Sequence, residues 1–283
     1  MTLDLERYLE RIGWTGGLAP SFETLAGLVQ HHIIKIPFEN LDVLLGRPVS
    51  LDLENLQAKL VTARRGGYCY EHATLFAAVL ERLGFTVHMH SARVIMATAK
   101  SASPRTHMLL SVELPQGTFV VDPGFGGLAP MVPVPLDGTP VRHGTDEHWL
   151  ERDGADYTLE VRTLDQVGRA GQDGGVGQDG GHKVVDAWVS TLARDFPIDF
   201  VMANHFTSTH PLSGFTRRLM MRTFTPTGRI TIMNREVTHW RGSESQPSQL
   251  ADRSALRDLV TTAFGFELPE ITTMRVSSIP EWT

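Results

Sequence analysis

Apolar residues recur with helical spacing along the first 85 positions. Leu5, Tyr8, Leu9 and Ile12 share one face, and Gly16-Gly17 is the expected stop. Ser21 is placed to cap a second helix that turns Leu25, Leu28, Val29 and Ile33 inward and ends before Pro37. Asp52 opens a third through Leu53, Leu56 and Leu60. A fourth is expected from Cys69 through Leu75, Phe76, Val79 and Leu83 to Gly84. Beyond residue 85 the period changes to two. Val87 to Ile95, His107 to Leu114 and Thr118 to Asp122 read as strands, the last two joined at Pro115-Gln116-Gly117, and Trp149 and Asp156 to Arg162 continue the pattern. The last hundred residues mix both periods. Strands are expected at Arg217 to Thr225 and Arg229 to Asn234 around Pro226-Thr227-Gly228, and a closing helix from Gln249 to Phe264. This order predicts an α+β protein rather than a doubly wound sheet.

Composition narrows the picture without changing it. The 283 residues allow two domains or one large one, and 41% apolar with 20% charged residues suits a folded chain. A formal charge of −6 argues against nucleic acid as the main partner. No apolar run approaches the ~18 residues of a membrane span, and the acidic N-terminus does not read as a secretory signal. The single cysteine excludes an internal disulfide and suits a reducing, cytoplasmic setting. Gly168 to His182 carries an imperfect GQDGG duplication and reads as a glycine-rich surface loop with no chemical role.

That cysteine lies in RRGGYCYEHATLF, Arg64 to Phe76. Two glycines permit a tight turn, which sets Cys69 at the opening of a helix, where free N–H groups favour a thiolate. Arg64 and Arg65 are expected to add positive charge nearby. A small buried hydrophobe is the plainer reading of a lone cysteine. The segment THMLLSVELPQGTFVVDPGFGG, Thr106 to Gly127, supplies partners. His107 opens one strand and Asp122 closes its neighbour, so both fall at the same end of the hairpin. In a Cys-His-Asp set the imidazole takes the thiol proton and the carboxylate fixes its tautomer. With twelve histidines in the chain, spacing alone leaves chance assembly open. His88 and His90 share a strand face and can be read as a metal clip or as a strand edge, the latter preferred; no metal is expected. His31-His32 reads as a helix end.

The chain resembles the arylamine N-acetyltransferases of the bacterial type. The resemblance rests on YLERIGW, HHIIKIPFENLD, RRGGYCYE, VDPGFGG, THPLSGF and NREVTHW, and it spans nearly the whole length. It implies a catalytic triad of Cys69, His107 and Asp122 in a cysteine-protease-like core. The implied division is a helical domain over 1–85, a β-barrel domain over 86–190 and an α/β lid over 191–283. It implies that acetyl-CoA acetylates Cys69 and that an arylamine, arylhydrazine or N-hydroxyarylamine then takes the acetyl group, with no permanently bound cofactor. By the same resemblance Phe38 and Phe125 are aromatic walls for the acceptor, with Tyr70 and Phe206 as further candidates. Gly126, Gly127, Ser208, Thr209 and His210 are candidate coenzyme contacts; for the last three, a turn satisfying its own backbone is the competing reading. Glu39 and Arg65 are assigned a buried pair under the cysteine turn, a solvated arginine being the alternative. Two departures stand out: Ala73 replaces the asparagine usual in C-[F/Y]-E-x-N, and Pro123 follows the aspartate where valine is commoner. Amide synthases that close macrolactams, and transglutaminase-like thiol hydrolases, are the alternative activities. Oligomeric state is left open.

Overall fold

The computed structural model describes residues 3–163, 183–226 and 228–282. The glycine-rich stretch Gly168 to His182 lies outside them. Helix α1 (Leu5–Ile12) starts where the Asp4 carboxylate accepts the Arg7 amide, and it ends at Gly13 rather than at Gly16. Gly13 takes φ 67°, so the first residue able to turn left-handed stops the helix. Helix α2 (Phe22–Lys35) is capped by Ser21 as expected, its hydroxyl accepting the Thr24 amide at 3.2 Å. Strand β1 (Phe38–Glu39) and the single turn α3 (Leu41–Leu44) follow Pro37. Helix α4 (Leu53–Leu56) continues as wider π-helical turns through Thr62. Asp52 precedes it without capping, because its carboxylate accepts from the Ser50 hydroxyl instead. Helix α5 (Cys69–Arg82) begins at the cysteine and is followed by Gly84 at φ 87°.

Eight antiparallel strands form the central layer: β2 (Thr86–Val94), β3 (His107–Leu114), β4 (Gly117–Val121), β5 (Val134–Pro135), β6 (Val141–His143), β7 (Asp146–Asp153), β8 (Asp156–Thr163) and β9 (Lys183–Ser190). Their spatial order is β5-β4-β3-β2-β9-β8-β7-β6, and β5 packs beside β7, so the sheet curls into a nearly closed barrel. Strand β2 is therefore internal, and its His90 is buried. Alternation in these strands turns Leu109, Val120, Leu159 and Val161 into one apolar interior, which consecutive Ala187 and Trp188 both join where the β8–β9 register shifts at Leu159/Glu160.

Helix α6 (Pro197–Thr209) was not legible as a helix. Proline at its first position and the Asp199 carboxylate on the Phe196 amide start it. Strands β10 (Met220–Thr225), β11 (Gly228–Met233), β12 (Glu236–Arg241) and β13 (Glu244–Gln249) form a second sheet with β1 at its edge. Gln249 thus ends a strand, and helix α7 (Arg253–Leu259) starts only after Asp252 caps it. Strand β13, ESQPSQ, is exposed throughout and has no apolar alternation to betray it. Leu41 and Leu44 of α3 pack into the core of this second sheet with Leu219, Met221 and Ile232. The chain is α+β, with helices first, barrel second and sheet plus helix last.

Candidate active site

The cysteine turn is built by close backbone packing. At Gly66 a Cβ would lie 1.9 Å from the Pro37 carbonyl oxygen, so only glycine fits. Gly67 then bridges to Phe38, its carbonyl accepting the Glu39 amide at 2.8 Å. Arg64 adopts φ 55° to enter the turn. Cys69 becomes the first residue of α5, where backbone N–H groups have no partner within the helix.

A buried ionic cluster holds the turn from below. The Arg65 guanidinium meets Glu39 at 2.7 Å and Asp42 at 2.7 Å. The Lys59 ammonium meets Asp42 at 2.8 Å and Glu71 at 2.7 Å. Glu71 also accepts the Tyr68 amide at 3.1 Å, so the cluster reaches the residue before the cysteine. Burial raises the Glu71 carboxyl above its ordinary value, with Lys59 opposing. The Glu39–Arg65 pair is present as expected. The anticipated charge support for the thiol is not: Arg65 is spent on carboxylates, and Arg64 is exposed.

A second buried chain lies alongside. His72 Nε2 faces the carbonyls of Pro37 (3.2 Å) and Gly67 (3.1 Å), so it must carry the proton. His72 Nδ1 therefore accepts from His32 Nε2 at 2.8 Å, and His32 Nδ1 accepts from the Tyr8 hydroxyl at 2.7 Å. Two carbonyls thus set the direction of three hydrogen bonds. Burial lowers both histidines, His72 to about 3, and keeps them neutral. His32 is a core residue rather than a helix end, and Ala73 beside His72 is fully buried.

The barrel brings the other two groups to the cysteine. His107 opens β3 and Asp122 follows β4, and His107 Nε2 donates to Asp122 Oδ2 at 2.7 Å. Both are buried, as is Cys69. Nδ1 of His107 is left for the thiol. Burial opposes charge on this imidazole, yet Asp122, by charge and hydrogen bond, and the Cys69 side chain raise it to about 10. The Cys69 Sγ lies 3.8 Å from the Thr106 carbonyl, the residue before His107. At Gly124 a Cβ would come within 2.6 Å of the Cys69 Cα, so the loop after Asp122 rests directly on the cysteine. An imidazolium beside a buried sulfur, at a helix opening, is an arrangement able to support nucleophilic chemistry at the sulfur.

The profile of the N-acetyltransferase family matches residues 21–273. The arylamine N-acetyltransferase of Mycobacterium tuberculosis H37Rv is 37% identical over 280 residues, covering 96% of this chain and 92% of that protein. The chain belongs to the arylamine N-acetyltransferase family. The Salmonella typhimurium arylamine N-acetyltransferase / N-hydroxyarylamine O-acetyltransferase is 32% identical over 282 residues, with 96% and 92% covered. The structure of the Mycobacterium marinum arylamine N-acetyltransferase in complex with CoA superposes with TM-score 0.83 at 32% identity, over 95% of this chain and 94% of that one.

Around the triad, the Phe125 ring meets His107 edge-on at 4.9 Å. Phe38 packs against Phe215 at 6.3 Å and stacks on His72, and it lies where a Cβ on Gly126 would reach at 3.6 Å. Phe38, Phe125 and Gly126 are thus brought to one place. Tyr70 is not brought there: it is fully buried between Tyr68 and Phe200, because residue 70 points to the α6 side of α5. Phe206 lies on α6, half-buried and stacked on His210 at 4.3 Å. The hydroxyls of Ser208 and Thr209 donate to the Asn204 and His205 carbonyls at 2.8 and 2.6 Å, which commits the protons a phosphate would need. Gly127 lines a cavity of about 270 Å³ between barrel and second sheet.

His88 and His90 do not converge on a metal. His88 meets Glu113, and His90 bonds Ser111 and the Ala193 carbonyl. Among the described residues no cluster of metal-ligating side chains is found, and no helix is long and apolar enough to cross a membrane. One important partner went unread in the sequence. Trp188, buried in β9, donates its indole N–H to Asp122 Oδ2 at 2.9 Å. The available signal was chemical: a buried indole N–H needs an acceptor.

Proposed function

We propose that the chain moves an acetyl group from acetyl-CoA to aromatic amines, hydrazines or N-hydroxyarylamines through a thioester on Cys69. The observation that carries this reading is the buried hydrogen bond from His107 to Asp122 with the imidazole raised to about 10 beside the cysteine. The relative that holds CoA supports the donor class, and the name of the Salmonella relative supports both amine and hydroxylamine acceptors.

In the first half, the Cys69 thiolate attacks the thioester carbonyl of acetyl-CoA. The Cys69 amide, which has no partner inside α5 as its first residue, faces the developing oxyanion. Collapse expels the CoA sulfur, which takes the His107 proton, and the imidazole becomes neutral. In the second half, the acceptor nitrogen attacks the acetyl-enzyme carbonyl while His107 removes its proton. The thiolate then leaves and the imidazolium is restored. Asp122 keeps the proton-bearing Nε2 in place throughout, leaving Nδ1 to face the sulfur. Phe38 and Phe125 hold the acceptor ring, and the Gly126-Gly127 backbone admits the donor close to the sulfur. The fold reading that goes with this is a cysteine-protease-like core, in which the helix bearing the nucleophile meets a barrel bearing its base.

Intact mass after brief exposure to acetyl-CoA without acceptor tests the relay. One added acetyl in wild type, absent in Cys69→Ala and discharged by an aromatic hydrazide, is the expected result. A protein whose Cys69 reacts with iodoacetamide but never gains the acetyl would overturn the choice of donor.

A further inference from the structure

Strand β10 presents two faces. Met221, with Leu219 just before the strand, enters the core of the second sheet, whereas Met220 and Phe224 pack toward the helical core. Arg222 lies between Met220 and Phe224 on that second face, directly opposite Phe38 in the β1–β10 ladder. Residues directly opposite in an antiparallel pair project from the same face with Cβ atoms about 4.5–5.5 Å apart, so the arginine stem runs beside the Phe38 side chain. Arg222 is 2% exposed and its guanidinium sits over the Phe224 ring at 5.1 Å. Nε and Nη2 meet no acceptor among the described residues, and these two nitrogens form one edge of the planar fork. A buried cation with two unmet donors is unfavourable until an anion supplies the acceptors. The guanidinium also lines the cavity of about 270 Å³ beside Gly127 and Trp240. The carboxylate in that lining, Asp146, is already engaged: Arg229 donates to Oδ2 at 2.8 Å and the Thr163 hydroxyl to Oδ1 at 2.6 Å. Burial, and after it Arg229, pull the Arg222 guanidinium down to about 9, which leaves it charged at neutral pH. On its other side the Phe38 ring lies where a Cβ on Gly126 would reach at 3.6 Å, and Gly126 follows Phe125, whose ring meets His107 at 4.9 Å. A run of neighbours thus leads from His107 through Phe125, Gly126 and Phe38 to a buried cation.

We propose that Arg222 binds a carboxylate on the acceptor, so that the preferred substrates are aromatic amines whose acid group lies across the ring from the nitrogen. The assignment rests on the transfer reading above, in which Phe38 and Phe125 hold the acceptor ring. With the nitrogen directed at the acetyl group on Cys69, a substituent across the ring points away from the sulfur, past Phe38 and toward β10. There the two unmet donors, Nε and Nη2, match the two oxygens of one carboxylate side by side. A neutral amide of the same shape carries no charge and turns its own N–H groups toward those donors.

Two measurements test the site. In the first, enzyme charged with acetyl-CoA is discharged by para-aminobenzoate or by para-aminobenzamide, and intact mass follows the loss of the acetyl group from Cys69. Wild type should favour the acid by about ten- to hundredfold, the usual strength of a hydrogen bond to a charged group. Arg222→Met should bring the ratio near one, and Arg222→Lys, which keeps the charge without the fork, should fall between. In the second, calorimetric titration with benzoate, which has no amine, reads the same site without chemistry; binding should weaken about tenfold or more in Arg222→Met. A ratio near one in wild type overturns the proposal. An equal slowing of acid and amide in both variants would make Arg222 structural, and a raised acetyl-CoA requirement with the ratio unchanged would make it a wall for the donor; either result overturns the proposal. Faster charging of Cys69 by succinyl-CoA than by butyryl-CoA, lost in Arg222→Met, would put the carboxylate on the acyl group and overturn the acceptor assignment. If wild type never gains an acetyl group, the transfer reading fails. Benzoate binding that weakens in Arg222→Met would then still support the carboxylate site, and benzoate that binds neither protein would overturn it as well.

Discussion

Asp122 receives two N–H donors on one oxygen, and only one of them was visible before the fold was known. Cys69, His107 and Asp122 announce themselves because their chemistry is local: a glycine turn before a helix, and the two ends of one hairpin. Trp188 is 66 positions from Asp122 in the chain and meets it only because β9 lies beside β2 in the barrel. No spacing rule reports such a pair. Replacing Trp188 with Phe keeps the ring and removes the N–H. Asp122 is then held by His107 alone, and about 1–1.5 kcal/mol of transition-state stabilisation, close to tenfold, should go. The expected signature is a slower acetylation of Cys69 in single turnover with an unchanged acetyl-CoA concentration dependence. A Trp188→Phe protein as fast as wild type would show that the indole only fills space.

Elements carry the site through their ends. The loop leaving β4 touches the first residue of α5 so closely that Gly124→Ala must push the two apart, its Cβ arriving 2.6 Å from the Cys69 Cα. Alkylation of Cys69 should fall more than tenfold while the protein still unfolds cooperatively, at a cost of about 1–3 kcal/mol. An equal alkylation rate would mean that the loop moves freely. The same elements bury histidines of opposite tendency. His32, His72, His90 and His148 are lowered by burial, so the unfolded chain binds their protons first as pH falls below about 6.5. Each then removes up to about 1.4 kcal/mol per pH unit until its folded value is reached. His107 is raised to about 10, so its contribution is complete below about 6.5 and disappears as pH climbs toward 10. Urea unfolding should therefore show greatest stability near neutrality with losses on both sides, and His107→Gln should flatten the alkaline side only. A symmetric change in that variant would contradict the assignment. The periodicity of α2 was legible because it buries one regular face, at Leu25, Leu28, Val29, His32 and Ile33, whereas α5 and β3 stood out as apolar segments that are buried on all sides. Helix α6 was missed because its outer face is apolar too, with Ile198, Val201 and Met202 exposed, and strand β13 because it buries nothing.

At the scale of the whole molecule, the segment after Pro37 is where the helical part is tied to the second sheet. Phe38 and Glu39 pair with Arg222 and Met221, and the next residue, Asn40, is nearly inaccessible. Its amide nitrogen donates to the carbonyls of Phe215 (2.8 Å) and Arg218 (2.7 Å), and its oxygen accepts the Met220 amide at 2.9 Å. One side chain thus satisfies three backbone groups some 175 or more positions away, at the point where the second sheet begins. A two-residue strand gives little pairing of its own, so these bonds hold β10, and with it Arg222 and Phe224, against the triad. Asn40→Ala leaves two part-buried carbonyls and a part-buried N–H without these partners and should cost about 1–3 kcal/mol. The loss should be uneven. Amide exchange should quicken across residues 219–225 while β3, β4 and α5 stay protected, because the barrel and the cysteine helix keep their own cores. Iodoacetamide should still find Cys69, and the acetyl-CoA concentration needed for half-maximal acetylation should rise as the wall formed by β10 loosens. Exchange that quickens everywhere alike would show instead that the three layers unfold as one unit, with Asn40 contributing to global stability alone.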